Sequence, residues 1–343
     1  MFYRHTTAIG LILAVLFCTL GSPAALAREG TDFSAWLSHF RTEALQHGIS
    51  PQTLEKAFAG ISANPRVIEL DRKQPEKKMG YAAYRKTVVS QARIDQGRQL
   101  LRDHWNQLQI AQNRYGVPAE ILVSLWGIET NYGENTGGFD LIESLATLAW
   151  EGRRAAYFKK ELIAALQILQ AGHISRQNFK GSWAGAMGQN QFMPSSWKTY
   201  AVDGNGDGRK DIWTTRADVF ASSANYLAKN GWNNSYPWGW AVRVPDHASL
   251  KTGMDHPRDL QDWIKAGVRL LDGGVPQGAA NLKTALVIPD GGEGRAYLVT
   301  SNYKVIMSWN RSTYFAVSVG SLGDLIKTSR HTQKSGSPAA YNN

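Results

Sequence analysis

One carboxylate on an apolar helix stripe is the first feature of this chain with chemical reach. The stretch Pro118–Gly133 reads PAEILVSLWGIETNYG, and Leu122, Leu125 and Glu129 fall at i, i+3 and i+7 of a helical pattern. Glu129 therefore lies on the apolar stripe with Trp126 beside it. A carboxyl so placed has its charged form disfavoured, which raises its pKa toward that of a general acid. The alternative is a Glu near a helix end that reaches solvent or pairs with a Lys or Arg.

A second stretch, Lys180–Ser196, reads KGSWAGAMGQNQFMPSS. Its small residues permit close backbone approach, and Gln189, Asn190 and Gln191 offer amide donors and acceptors suited to a sugar with hydroxyl and N-acetyl groups. An ordinary Gly-rich connection between helices is the competing account. The third feature is a loop with oxygen donors at Asp203, Asn205, Asp207 and Asp211, positions 1, 3, 5 and 9 of an EF-hand-like pattern, with Gly208 at position 6. Hard oxygen ligands around a sharp Gly turn fit Ca²⁺. Position 12 is Thr214 where a bidentate Glu is usual, and Asp218 offers a later carboxylate. A solvated Asx/Gly turn is the alternative. Aromatics including Tyr132, Trp150, Tyr157, Trp183, Trp213, Tyr226 and Trp232 crowd these motifs, and such faces stack on sugar rings as readily as they fill cores.

The elements that must carry these residues read as mainly helical, an α+β chain. Phe33, Trp36, Leu37 and Phe40 open an amphipathic helix that Gly48 ends, and Ser50-Pro51 starts another. A long amphipathic pattern runs from Tyr81 to Tyr115, is broken at Gly116-Val117-Pro118, and restarts through the Glu129 segment. Further helices are expected at 141–150, 154–171 and 216–229. After Trp240 the texture changes to short β-rich segments at Val268–Leu271, Thr284–Ile288 and Ala296–Thr300, separated by Gly, Pro and Asp turns. A helical pattern returns at Ser312–Ile326. The expected map is a leader at 1–27, a helical core at 28–240, a small β-rich region at 241–310, a returning helix at 311–328 and a disordered tail at 329–343.

Composition bounds the rest. With 343 residues, 43% hydrophobic and 19% charged, the chain can bury a real core and is not of the disordered class. Arg4, the apolar run Ala8–Leu20 and Ala25-Leu26-Ala27 read as a cleaved export signal, too short for a membrane span. Cys18, the one cysteine, lies within it behind the bulky Phe17, so neither lipidation nor a disulfide in the mature chain is expected. Removing Arg4 from 38 basic residues leaves 37 against 28 acidic, a net of +9. In an exported protein that balance suits an anionic partner such as a wall polymer, with no stable membrane anchor. Nucleic acid is disfavoured by the compartment and by the lack of a Lys/Arg block.

Four segments together carry a resemblance. GIETNYG around Glu129, RRAAYF at 153–158, KGSWAGAMGQNQFMPSSWKTYAVD at 180–203 and NRSTYFAVSVGSLGDLI at 310–326 resemble the lytic murein transglycosylase B family, its soluble periplasmic members above all. The resemblance spans roughly residues 31–328. It implies a lysozyme-like helical core with one catalytic Glu, cutting the β-1,4 bond between N-acetylmuramic acid and N-acetylglucosamine in peptidoglycan. The matching catalytic residue is Glu129. Ser182 matches the residue beside the cleaved sugar, Gln191 a cleft amide, and Arg153, Arg154 and Tyr157 a saccharide- and peptide-binding face. Asn225, Tyr226 and Asn310 match further cleft positions. The calcium loop matches at Asp203, Asn205, Asp207 and the Arg209 carbonyl, while an extra residue before Asp218 separates it from the family pattern. Trp309 and Phe315 stand where some relatives have Tyr.

One Glu acting first as acid and then as base would leave 1,6-anhydromuramoyl ends without consuming water, the outcome the resemblance implies. Its partners would be glycan strands with peptide stems, cell-wall synthases being the candidate protein partners and a monomer the default. No organic cofactor is expected. Two other readings compete. A hydrolytic muramidase would need a second carboxylate, for which Glu134, Asp140 and Glu143 are candidates; a non-catalytic wall-binding module would use the Trp-rich cleft alone.

Overall fold

The computed structural model describes residues 32–73, 79–245, 250–271, 274–291 and 294–327. The expected export signal and the tail from Ser329 lie outside the described residues. Helices α1 (Phe33–Gln46), α2 (Pro51–Phe58) and α3 (Pro65–Arg72) open the chain. Ser50 caps α2 by accepting from Thr53 N at 3.2 Å, and Asn64 caps α3 by accepting from Arg66 N at 3.0 Å. The expected long helix from Tyr81 is three: α4 (Tyr81–Val88), α5 (Gln91–Asp103) and α6 (Trp105–Tyr115). Ser90 Oγ accepts from Arg93 N and restarts the chain as α5, and His104 serves as cap to both α5 and α6. Hydrophobic spacing runs through both joints, so periodicity alone does not reveal them.

Gly116, at φ 71°, ends α6, and Pro118 leads into α7 (Ala119–Thr130). Then come β1 (Phe139–Asp140), α8 (Leu141–Glu151), α9 (Ala155–Gln170), β2 (Lys180–Gly181), α10 (Pro194–Tyr200) and α11 (Arg216–Lys229). The last part holds β3 (Gly239–Arg243), β4 (Arg258–Asp259), α12 (Leu260–Lys265), β5 (Arg269–Leu270), β6 (Lys283–Val287), β7 (Ala296–Val299), α13 (Ser301–Trp309) and α14 (Thr313–Lys327).

Helix α7 is apolar on all sides. Ile121, Leu122, Val123, Leu125 and Trp126 are all buried, so it runs through the interior with neighbours on every face. Helices α4–α6, α11, α13 and α14 surround it, and Leu122, Phe220, Ile306 and Phe315 belong to this core. A second core joins α1, α2, α8 and α9 to the 179–201 segment through Phe40, Leu141, Phe158, Phe179 and Trp197. Tyr226 and Trp309 pack against both cores and mark the seam.

Five strands form an antiparallel sheet in the order β4-β6-β7-β3-β5. Its sides alternate as a pleated strand requires. Ala285, Val287 and Val299 face the α7 core, while Leu286 and Leu298 join Leu260 and Trp263 of α12 in a third core. Two short strands, β1 and β2, pair Phe139 with Gly181 and form a wall beside the end of α7.

Candidate active site

The C-terminal turn of α7 is held from several directions. Asn131 and Tyr132 take left-handed backbone conformations at φ 49° and 60°, turning the chain sharply after Thr130. The Tyr132 ring folds back on Gly127, where an added Cβ would lie 2.6 Å from a ring carbon, and its hydroxyl donates to Arg93 O at 2.6 Å. Arg93 in turn donates to Asn131 Oδ1 at 3.2 Å. Across the seam, Trp126 Nε1 donates to Gln189 Oε1 at 2.8 Å and Thr130 Oγ1 to Gln189 O at 3.1 Å. These bonds fix the 180–193 segment against the helix that carries Glu129.

Glu129 opens into a cleft of about 700 Å³ at that seam. Glu129 is part-buried, and Trp309 Nε1 donates to Oε1 at 2.8 Å. Burial pushes its pKa from the ordinary 4.5 up to about 7, and the indole hydrogen bond holds it partway back. Trp309 is clamped between Phe192 at 5.1 Å and Tyr226 at 4.7 Å, centroid to centroid, so the donor is fixed in place. A substantial fraction of the carboxyl is thus protonated near neutral pH, and its anion has a positioned partner.

Other sequence-predicted residues gather here in part. Ser182, Gln191, Arg154, Tyr157, Tyr226 and Asn310 line the same cleft. Ser182 Oγ accepts from Ala186 N at 3.0 Å, which leaves its own hydrogen to donate. Gln191, at φ 50°, donates to Thr136 O and Gly188 O and lies across the floor. Asn310 Oδ1 accepts from Ser312 N at 3.1 Å, while the Tyr226 hydroxyl donates to Ser308 O at 2.6 Å. Tyr157 is 45% exposed.

Arg153 is not among the cleft-lining residues. It donates to both oxygens of buried Asp71, at 2.9 and 2.6 Å, and Arg154 shares that carboxylate at 3.0 Å. Asn225 is buried too, donating to Tyr200 O at 2.8 Å. Gln189 and Asn190, expected to face a sugar, are instead buried: Asn190 donates to Val219 O and Ser223 Oγ, and Gln189 ties Trp126 to Trp213 O. Turning three consecutive amides the same way would need a backbone that this tight turn does not have, and Gln191 alone reaches the cleft.

Of the possible second carboxylates, Glu134 is at the cleft and accepts from Asn131 and Gln96. Asp140 pairs with Arg176 and caps α8, and Glu143 accepts from Asn64 at 2.9 Å. Tyr84 on α4 is a lining residue that sequence patterning did not single out. Its hydroxyl is enclosed without a hydrogen-bond partner among the described residues, and burial together with the nearby Glu129 charge raises its pKa. In the sequence it is one more aromatic on an apolar helix face, indistinguishable from a core residue.

In the 203–218 loop Asp203 accepts from Gly206 N at 2.6 Å and Gly208 N at 2.7 Å, and Asp207 Oδ1 accepts from Arg209 N at 2.8 Å. Asp218 is fully buried and takes hydrogen bonds from Gly204 N and Asp211 N. Burial raises its pKa despite those donors, and the Asp203 and Asp207 charges add to the rise. Among the described residues it enters no ion pair with Lys or Arg. A buried carboxylate facing two others calls for a cation. Asp211 differs: its carboxylate accepts from Trp213 N and Thr214 N, both at 2.9 Å, and from two Thr hydroxyls. Among the described residues no three His, Cys, Asp or Glu side chains are already drawn into a metal-holding group.

Residues 32–324 match the family described as Transglycosylase SLT domain. The chain is 32% identical over 305 residues to membrane-bound lytic murein transglycosylase B of Escherichia coli (strain K12), covering 83% of this chain and 80% of that one. The structure of SltB3 from Pseudomonas aeruginosa in complex with NAG-NAM-pentapeptide superposes with a TM-score of 0.83 at 41% identity, over 87% of this chain and 80% of that one. Escherichia coli Slt35 in complex with calcium gives 0.74 at 30%, over 89% and 97%.

Proposed function

The chain belongs to the transglycosylase SLT domain family and is a peptidoglycan lytic transglycosylase with a lysozyme-like fold; on that premise we propose that Glu129 acts as its acid and then as its base. The observation that carries this is the Glu129 carboxyl, raised to about 7 by burial at the cleft with the Trp309 N–H aimed at it. Protonated Glu129 donates to the oxygen leaving C1 of the muramic acid in the β-1,4 bond to N-acetylglucosamine. The substrate's N-acetyl oxygen stabilises the charge developing at C1, the role a second carboxylate plays in most glycosidases. The new carboxylate, held by Trp309, then takes the proton of the C6 hydroxyl as that oxygen closes on C1. The product is a 1,6-anhydromuramoyl end, and no water is consumed.

Intramolecular closure depends on placing the C6 hydroxyl near C1, so the positioning groups matter as much as the acid. Ser182, Gln191, Tyr226 and Asn310 supply such groups at the cleft, and Arg154 and Tyr157 offer a charged and aromatic edge for peptide stems. Ca²⁺ in the 203–218 loop, held by Asp203, Asn205, Asp207, the Arg209 carbonyl and Asp218, would supply a fixed positive centre that stiffens the cleft wall. Asp211, with its carboxylate turned to Trp213 and the two threonines, shapes the loop. The relatives' envelope chemistry and the export signal read from the sequence support a periplasmic site of action. Among the described residues no helix is long and apolar enough to cross a membrane.

Mass spectrometry of fragments released from purified sacculi tests the reading, with Glu129→Gln as control. Muropeptides lacking one water at the muramoyl end, absent from the control, are expected. Free reducing ends would make the protein a hydrolase and turn attention to Glu134.

A further inference from the structure

Helix α4 has two working faces. Tyr84, Thr87 and Val88 line the catalytic cleft, whereas Arg85 and Lys86, with Tyr81 and Val89 as walls, line a second groove of about 610 Å³ whose far side carries Arg295. This groove is cationic. Arg85, Lys86 and Arg295 enter no ion pair among the described residues, and Arg85 Nε is enclosed without a hydrogen-bond partner. The groove's carboxylate, Asp290, is already engaged by Tyr81 N at 2.8 Å and by the Tyr314 hydroxyl. Three cations, one with an enclosed and unpartnered Nε, against one carboxylate already held by two neutral donors leave the described groove net positive and suited to an anion.

We propose that this groove captures the terminal carboxylate of the peptide stem attached to a sugar in the cleft. The proposal rests on the assignment of the cleft to peptidoglycan. Distance favours a stem on the bound strand, because only the width of α4 separates cleft from groove. A helix with its side chains is about 10–12 Å across. A five-residue stem, the length on the sugar bound to the P. aeruginosa relative, extends up to about 17 Å. A stem can therefore cross over α4 and place its end against Arg85. Substrates with intact stems then gain contacts that stripped glycan lacks, and the contacts act on binding and not on the bond being cut.

Steady-state cleavage of stem-bearing strands, compared with the same strands stripped of stems by an amidase, tests this. For the wild type, KM on stem-bearing strands is expected to be lower by about fivefold to tenfold, the scale of a few exposed charge contacts. Arg85→Ala/Lys86→Ala/Arg295→Ala should raise that KM to the stripped-strand value while leaving kcat and the stripped-strand KM unchanged. The double variant Lys86→Glu/Arg295→Glu, which alters only exposed side chains, should do the same. Wild-type KM for both variants on stem-bearing strands, or an equal rise on both substrates, would overturn the proposal. Absence of anhydro ends from either strand with the wild type would overturn the cleft assignment and this proposal together.

Discussion

Replacing Glu129 with Gln should stabilise the protein increasingly as pH rises from 4.5 to about 7, and to a constant extent above that. The folded carboxyl titrates at about 7 against 4.5 when unfolded. Below pH 4.5 both states hold the proton, and the group contributes nothing to pH dependence. Between the two values the folded state binds the proton more tightly, so stability falls as pH rises, by about 1.4 kcal/mol per pH unit. Above pH 7 the cost is complete, at about 3 kcal/mol. Gln is neutral throughout, and its amide oxygen can still accept from Trp309, so the substitution removes the charge while keeping the hydrogen bond. The difference between variant and wild type should be near zero at pH 4 and up to about 3 kcal/mol in favour of Gln at pH 8, or about 6 °C in Tm for a chain of this size. Thermal or urea melts of both proteins at the two pH values read it directly, and every other titrating group cancels in the difference. A difference that does not vary with pH, or a Gln variant less stable at pH 8, would refute the account of Glu129 as a carboxyl strained by burial.

Trp309→Phe keeps the ring between Phe192 and Tyr226 but removes the donor to the carboxylate, so the alkaline limb of kcat/KM should move up by about one pH unit. A limb that stays in place or moves down counts against that role. Chelation should lower the melting temperature by about 5 °C, with Asp218→Asn blind to the chelator; calorimetry with and without chelator decides, and an unchanged wild-type transition rules out a structural Ca²⁺. Gly137→Ala would put a Cβ 2.2 Å from Gly181 O at φ +90°, displacing the β1–β2 wall next to Ser182. Turnover should fall at least about tenfold with the helical circular dichroism retained, and wild-type kinetics would show the wall to be tolerant.

What could be read in advance follows the range over which each signal acts. Helix α11 and the Glu129 stripe were legible because their periodicity is local and uninterrupted. The joints at Ser90 and His104 were not, because the hydrophobic spacing continues across a cap. Helix α12 has six residues, too few for a periodic pattern, and lies in a stretch whose composition reads as strand. At the site, Glu129 could be singled out from its own helix, whereas the donor that tunes it comes from a segment 180 positions away. Tyr84 carries no signal that separates it from a core aromatic. Arg153 and Asn225 sit beside residues that do line the cleft, and which neighbour faces inward is decided by Asp71 and the Tyr200 carbonyl, tertiary partners that spacing does not reveal.

The span between Trp309 and Glu129 also orders events in time. An enzyme that cuts the wall is hazardous when loose, and here the acid exists as an acid only once the chain is complete through α13. Until the helices that follow the sheet pack against α7, Glu129 lacks the burial that raises its proton affinity, an effect larger than the opposing Trp309 hydrogen bond. A late segment of the chain thus arms a residue made long before it. A chain ending before Ser301 should show Glu129 titrating near 4.5 by NMR, well below the value of about 7 in the folded whole.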